Sequence, residues 1–375
     1  MNIVIVIDLI DSLTNGSVIT ARRFADGLRA RGHSVKIVAV GADGENDCPV
    51  REQYFPILSA VSAKNQVKFA KFEREKIEGA FEGANIVHFI FPFRFEKKCK
   101  SLADKMGIPT TAAFHVQPEN ISYNAHFGKS KVFNRLIYRY LRRFYNRFNR
   151  IHCPSAFIAE KLKEHGYRGR MYVISNGYDS QFKPAGQLNN NEKFEIVMVG
   201  RLAPEKNQKV LISAIAKSKY REKIHLTLCG KGSCQRRLEA QAKRQGVDVS
   251  FEFLPKPKLI EKLQASDLYV HSATVEIEAI ACIEAIACGL VPVIADSPLS
   301  ATKQFALDKR SLFTDNDPYS LAIKIDYWIE NRAERLKMGK VYAEFALRYS
   351  LEKSLEQAEE MFFDEIEAKQ LIRAD

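Results

Sequence analysis

Between residues 270 and 295 the chain reads VHSATVEIEAIACIEAIACGLVPVIA, an order of chemistry that few folds accommodate. It begins apolar, presents Ser272, Thr274, Glu276 and Glu278, continues through small and branched residues around Glu284, breaks at Gly289 and resumes apolar at 291–295. That is strand, polar loop, helix, strand. An open α/β domain repeats this unit and collects its polar loops at the carboxyl ends of its strands. Glu276 and Glu284 stand eight positions apart. Wholly helical, that spacing spans ~12 Å at roughly 1.5 Å per residue. A glycosidase holds its acid and base within about 5–9.5 Å, so the two carboxylates read as holding different ends of an extended ligand. The competing reading is a helix cap at Glu276 or Glu278 and a solvated Glu284.

A chain of 375 residues exceeds what one core comfortably organises, and two domains are expected. The boundaries read as 1–183, a polar linker at 184–192, a second domain at 193–350 and a helical tail at 351–375 that could pack back on the first. Seven scattered cysteines without a CxxC or a Cys/His cluster point to a reduced, cytoplasmic protein with no structural zinc. The opening MNIVIVIDLID is interrupted by Asp8 and reads as a first strand, too short for a signal peptide or a membrane span. Charge is unevenly divided. Residues 1–186 hold 29 Lys/Arg against 17 Asp/Glu, while 187–375 hold 28 of each, so the whole net charge of +12 lies in the first half. A field confined to one domain suits an anionic surface partner, nucleic acid or anionic lipid.

In the first half, Gly16 follows the first strand and leads into a helix, where close backbone approach to a ligand is possible; no G-x-G-x-x-G accompanies it. Residues 64–82 read as a Lys/Phe-rich helix between strands. His115 falls directly after a strand at 108–114, at the end where functional side chains collect, although a satisfied structural histidine reads the same way. Residues 129–150 carry eight cations and no acid, with Phe133, Leu136, Ile137, Tyr140, Leu141, Phe144 and Phe148 at the spacing of one helix face. A basic helix with an aromatic face suits the headgroup layer of an anionic membrane. It could equally pack on a sheet and leave a solvated basic face; nothing resembling an RRM, KH or zinc-finger pattern supports nucleic acid.

In the second half, a strand at 194–200 is followed by Arg201 and Lys206, two cations ahead of a helix that suit a diphosphate, or else are solvated. Gly230-Lys231-Gly232 follows another strand as a tight turn. Asp315-Asn316-Asp317 has the form of a DxD metal motif, but Asp317-Pro318 reads as a helix start and capping accounts for it.

Taken together, the glutamates within EIEAIACIEAIACG, the GRLAPEKN segment, Gly16, His115, Asn176-Gly177 and GKG at 230–232 resemble the family 4 retaining glycosyltransferases over nearly the whole chain. The resemblance implies an α/β fold of GT-B type, two Rossmann-like domains facing each other across a deep cleft. It implies a UDP-hexose donor, glucose or galactose, with no cofactor or metal. Arg201 and Lys206 would neutralise the diphosphate, Glu284 would bind the ribose, Glu276 the sugar, and Gly16, Gly230, Lys231 and Ile277 would line the donor site. His115 would serve the sugar or acceptor side. Two departures fall on the donor pocket: Asn15-Gly16-Ser17 replaces a double glycine, and Glu278-Ala279 replaces an aromatic and a glycine. FHVQPENISYN and SPLSATKQFAL look most like the glycolipid-forming branch. That branch implies transfer to a lipid hydroxyl such as diacylglycerol or ceramide, giving an α-linked glycolipid, by an enzyme peripheral on the inner face of the cell membrane through residues 129–150. The alternative is a polysaccharide or lipid-linked oligosaccharide acceptor, and beyond it a non-enzymatic nucleic-acid binder.

Overall fold

Among the described residues, apolar runs alternating with amphipathic helices produce two large, wholly parallel sheets and one two-stranded parallel sheet. The structure is a computed structural model that describes residues 1–11, 16–54, 68–124, 130–185 and 192–374. Two compact units emerge: 1–118 with 131–177 and 351–375, and 119–130 with 178–350.

The first unit contains β1 (Asn2–Leu9), β2 (Ser34–Val40), β3 (Cys48–Pro49), β4 (Ile86–Phe89), β5 (Thr110–Ala113), β6 (Arg150–Cys153) and β7 (Arg170–Val173). Their spatial order is β3-β2-β1-β4-β5-β6-β7. β1 is buried from Ile3 to Leu9, an apolar run at the centre of a parallel sheet that only Asp8 interrupts. Helix Gly16–Ala30 buries Val18, Ala21, Phe24, Ala25 and Leu28 against this sheet. The tail helix Leu351–Ala374 adds Leu355, Ala358, Met361 and Phe362 to the same core. Its Glu359 takes Arg31 at 2.8 Å and His33 at 2.7 Å, and its Glu365 pairs with Arg150, so the far end of the sequence is fixed to the first unit.

The second unit contains β8 (Phe194–Val199), β9 (Ile224–Cys229), β10 (Val249–Glu252), β11 (Leu268–His271), β12 (Val275–Glu276), β13 (Pro292–Asp296), β14 (Leu299–Ser300) and β15 (Leu312–Thr314). The main sheet runs β10-β9-β8-β11-β13-β15, and β12 pairs with β14. Counted from each central strand, both sheets follow the 3-2-1-4-5-6 order of a doubly wound fold, with switch points between β1 and β4 and between β8 and β11. Asp317 accepts from the backbone N–H groups of Tyr319 and Ser320 at the head of helix Pro318–Glu330, the capping role expected of it.

Two expected helices are shorter than their patterns. Of 64–82, residues 64–67 lie outside the described set, and the helix is Arg74–Phe81. Ahead of it the chain is extended: Ala70 bridges to Glu52, and its N–H donates to the Asp8 carboxylate at 2.7 Å. A partner for a buried carboxylate outweighs local helix propensity there. Of 129–150, Lys129 lies outside the described residues and the helix is Lys131–Tyr145, because Arg150 already opens β6. Asn15 and residues 186–191 of the expected linker also lie outside.

Candidate active site

The second unit's switch point is built by the chain leaving β8 and β11. Beyond β8, Pro204–Lys206 forms a single 3-10 turn, and Asn207 follows in the left-handed region at φ 57°. Asparagine tolerates that conformation better than most residues, and it turns the chain straight into helix Gln208–Ile215. The turn delivers the Lys206 ammonium to the carboxylate of Glu276, with which it forms an ion pair. Glu276 is 9% exposed. Burial alone would raise its pKa, but Lys206 and His271 outweigh it and hold the group at about 2.

His271 is the third member. Its Nε2 lies 3.2 Å from Glu276 Oε1 and its Nδ1 3.0 Å from the Tyr269 hydroxyl. Burial lowers the His271 pKa, with Glu276 opposing, and burial raises that of Tyr269. A neutral imidazole that donates from Nε2 to the carboxylate and accepts at Nδ1 from the phenol satisfies all three groups. The carboxylate is thus ionised at neutral pH and fixed in direction.

Backbone links tie the two loops together. Ser272 Oγ donates to the carbonyls of Lys206 and Asn207, each at 3.1 Å, and the Thr274 N–H donates to the Glu205 carbonyl at 2.9 Å. Arg201 donates to Glu205 Oε1 at 2.8 Å while its own side chain stays 45% exposed, so its guanidinium is anchored on one side and open on the other. The Asn207 amide donates to Asn316 at 2.9 Å, and Thr274 Oγ1 to Asp315 at 3.2 Å.

The GKG turn lies directly against this loop. A Cβ at Gly230 would fall 1.9 Å from the Gly200 carbonyl oxygen, and one at Gly232 would fall 2.2 Å from that of Leu202. Lys231 accepts at its carbonyl from Leu202 N–H, and its ammonium sits 4.2 Å over the Phe253 ring. Ile277 follows β12, and Glu284 is buried in helix Ile280–Ala287. That helix starts from Ala279 at φ 75°, a conformation that glycine adopts without cost and alanine does not.

Of the sequence-derived residues, Arg201, Lys206, Gly230, Lys231, Glu276, Ile277 and Glu284 belong to this unit, and Gly16 and His115 to the other. Gly16 opens helix Gly16–Ala30, and a Cβ there would meet no atom within 4 Å. His115 lies just beyond β5, buried, with its Nε2 unpartnered among the described residues. It packs edge-on against His152 at 5.4 Å, and His152 stacks on His88 at 6.0 Å. Burial and then His152 lower the His115 pKa to about 3, while burial takes His152 to about 4. Sequence reasoning missed His271, Glu205 and Asn207. His271 follows Tyr269 by two residues on β11, so the pair shares a strand face, which is a readable signal. Among the described residues no group of three or more His, Cys, Asp or Glu is placed to hold a metal ion.

Comparison with known proteins divides the chain along the same lines. The profile described as Glycosyltransferase Family 4 matches residues 14–182, and that described as Glycosyl transferases group 1 matches residues 179–344. A search of curated proteins finds no match. Among solved structures, the catalytic domain of cholesterol-α-glucosyltransferase from Helicobacter pylori is 52% identical, over 42% of this chain and 99% of that one, with a TM-score of 0.39. Sucrose-phosphate synthase from Thermosynechococcus elongatus matches the whole of both chains at 16% identity and a TM-score of 0.77. The Anabaena protein HepE in complex with UDP and glucose matches 96% of this chain and 98% of that one at 18% identity and a TM-score of 0.71. The fold is shared across these full-length matches.

Proposed function

The chain belongs to the family 4 glycosyltransferases of GT-B fold, and from that premise we propose that it moves a hexose from a UDP-sugar to an acceptor hydroxyl with retention of configuration. The observation that carries this reading is the buried Lys206–Glu276–His271 group at the switch point of the second sheet. The donor diphosphate binds at Arg201 and Lys206, whose charges stabilise the negative charge that grows on the departing phosphate oxygen. Glu276, ionised and oriented by His271, accepts hydrogen bonds from sugar hydroxyls; a carboxylate with a pKa of about 2 is no general acid at neutral pH. Glu284 accepts from the ribose hydroxyls. Gly230 and Lys231 bring backbone close to the nucleotide, and Gly16 opens a helix of the first unit where backbone can approach a ligand. His115, held neutral, serves a sugar or acceptor hydroxyl.

In the transfer, the bond between the anomeric carbon and the phosphate oxygen breaks, and the acceptor oxygen bonds to that carbon on the same face. The acceptor proton passes to the leaving phosphate, so no protein nucleophile is needed. UDP-sugar is a substrate here, and the residues described supply the positive charge for its departure.

For the acceptor, a saccharide hydroxyl on a glycan or lipid-linked oligosaccharide is the broader reading. The sucrose-phosphate synthase and the glucose-bound protein that share the fold support it. A second reading, a lipid hydroxyl such as diacylglycerol or ceramide, is favoured by one observation: Val132, Leu136 and Tyr140 stand 71%, 58% and 57% exposed along the basic helix Lys131–Tyr145. Under this second reading that helix rests the first unit on an anionic membrane surface. No helix among the described residues is long and apolar enough to cross a membrane. UDP release from UDP-glucose and UDP-galactose, measured with a panel of oligosaccharides and with micelles containing diacylglycerol or ceramide, separates the two. Stimulation by a saccharide supports the first reading and stimulation by lipid the second. Silence with every donor and acceptor would overturn both.

A further inference from the structure

The first unit contains a groove of about 680 Å³ between helix Arg94–Lys105 and the basic helix, and it takes no part in the chemistry above. One wall is the stripe Arg94, Lys98, Ser101 and Lys105, at positions i, i+4, i+7 and i+11, which a 3.6-residue period places on a single face. The other wall is Tyr140, Arg143, Phe144 and Arg147, and Phe72 and Leu102 add apolar surface. Seven cations line the groove, with no acid among its lining residues. Arg74, Lys97 and Arg147 are engaged locally: Arg74 with Glu78 at 3.5 Å, Lys97 with the Tyr140 hydroxyl at 2.9 Å, and Arg147 with Asp104 at 2.9 Å. Arg94, Lys98, Lys105 and Arg143 have no carboxylate partner among the described residues. Four such cations converging on an aromatic floor repel one another, and an anion with an apolar extension relieves that repulsion.

We infer that this groove seats the phosphate of an anionic phospholipid, with the glycerol and first methylenes of the lipid on Phe72 and Tyr140. The occupant follows from what adjoins the groove. Tyr140 belongs both to the groove and to the exposed ridge Val132–Leu136–Tyr140, which repeats every fourth residue along the basic helix. A bilayer uses both features at once: hydrocarbon receives the ridge while a headgroup enters the groove. A nucleic acid would use only the charge, and the ridge would stay in water. The assignment rests on the membrane-surface reading above and adds to it a headgroup site on the neighbouring helix, residues 94–105, where the sequence drew no attention.

The test is sedimentation of the full chain with phosphatidylcholine vesicles, with and without phosphatidylglycerol, at low and moderate salt. Three variants accompany it. Arg94→Ser/Lys98→Ser/Lys105→Ser empties one wall of the groove. Leu136→Ser breaks the ridge. Arg236→Ser/Lys243→Ser/Arg244→Ser removes equal charge from exposed positions of the second unit. All of these side chains are exposed, and thermal unfolding and UDP binding check that each variant is folded. The expected result is binding to phosphatidylglycerol vesicles that the groove triple weakens by roughly tenfold to a hundredfold, Leu136→Ser reduces at all salt concentrations, and the control triple leaves within about twofold. Equal losses in the two triples, or full binding by the groove triple, would overturn the groove while leaving surface attachment intact. No binding of the unaltered chain to any vesicle would overturn both, and retention on a single-stranded oligonucleotide instead would assign the groove to nucleic acid.

Discussion

In the second unit, the strand beyond the switch point, β11, ends on His271 and leads to Glu276, and the loop after β8 brings Lys206 onto the same carboxylate. In the first unit, the corresponding strands carry different chemistry. β1 carries Asp8 next to its last residue, buried beside Glu96, and β4 holds His88, which stacks on His152 of β6, against which His115 packs. Strand order is the same, yet one unit stabilises charge and the other suppresses it. Burial pushes Asp8 up to about 6 and Glu96 well above the ordinary carboxylate range, Asp8 adding to the latter, while burial pulls the three histidines down. The doubly wound sheet therefore fixes where polar groups collect, and neighbouring side chains decide whether those groups are charged. A charged, locked switch point suits a diphosphate and a sugar, and the three buried histidines of the first unit stay uncharged at neutral pH.

The largest effect is expected when the switch point of the second unit loses a charge. Lys206→Met should lower kcat on the best UDP-sugar by ~10²–10³-fold, the scale of one lost electrostatic contact to a developing anion. His115→Asn, in the first unit, should cost less and act mainly on the acceptor KM. Steady-state kinetics of both variants measures the contrast. Next in size is Gly230→Ala, which forces a methyl onto the Gly200 carbonyl. It should destabilise the second unit by about 3 kcal/mol and be visible as a lowered denaturant midpoint.

The buried histidines of the first unit respond to pH. His115 titrates near 3 when folded and near its ordinary value of 6.5 when unfolded. Between those values the unfolded chain binds the extra proton, so this histidine's contribution to stability is complete above about 6.5 and is lost as pH falls toward about 3. Asp8 acts oppositely: its contribution is full below the ordinary carboxyl value of 3.8 and is lost as pH rises through about 6. Urea unfolding of His115→Asn from pH 6 to pH 4 should show a slope against pH one proton smaller than that of the unaltered chain. The smallest effect expected is Ala279→Gly, which relieves a left-handed alanine and should raise stability by up to about 1 kcal/mol, read as a small rise in the melting temperature.

Much of the second unit was legible because its signals are local. Glu276, Lys206 and the GKG turn each sit at a strand end, and a strand end is recognisable from its apolar run. What was not legible depended on contacts remote in sequence. Nothing near Ala70 reveals that its N–H is held by Asp8, so a helix pattern gave way to extended chain. The basic helix illustrates a different loss. Its pattern gave one apolar face, but Leu141 and Phe144 are in the core while Leu136 and Tyr140 are in solvent, and only packing separates them. His271 was passed over because a histidine inside a strand reads as structural until its carboxylate partner is seen.

Titration calorimetry of the full chain with UDP, repeated with Lys206→Met and with His115→Asn, tests most directly the claim that the charged switch point of the second unit is the donor site. Lys206→Met is expected to weaken UDP binding by tenfold or more, a loss of at least ~1.4 kcal/mol, while His115→Asn leaves it unchanged. Undiminished binding by Lys206→Met, or loss confined to His115→Asn, would contradict that claim.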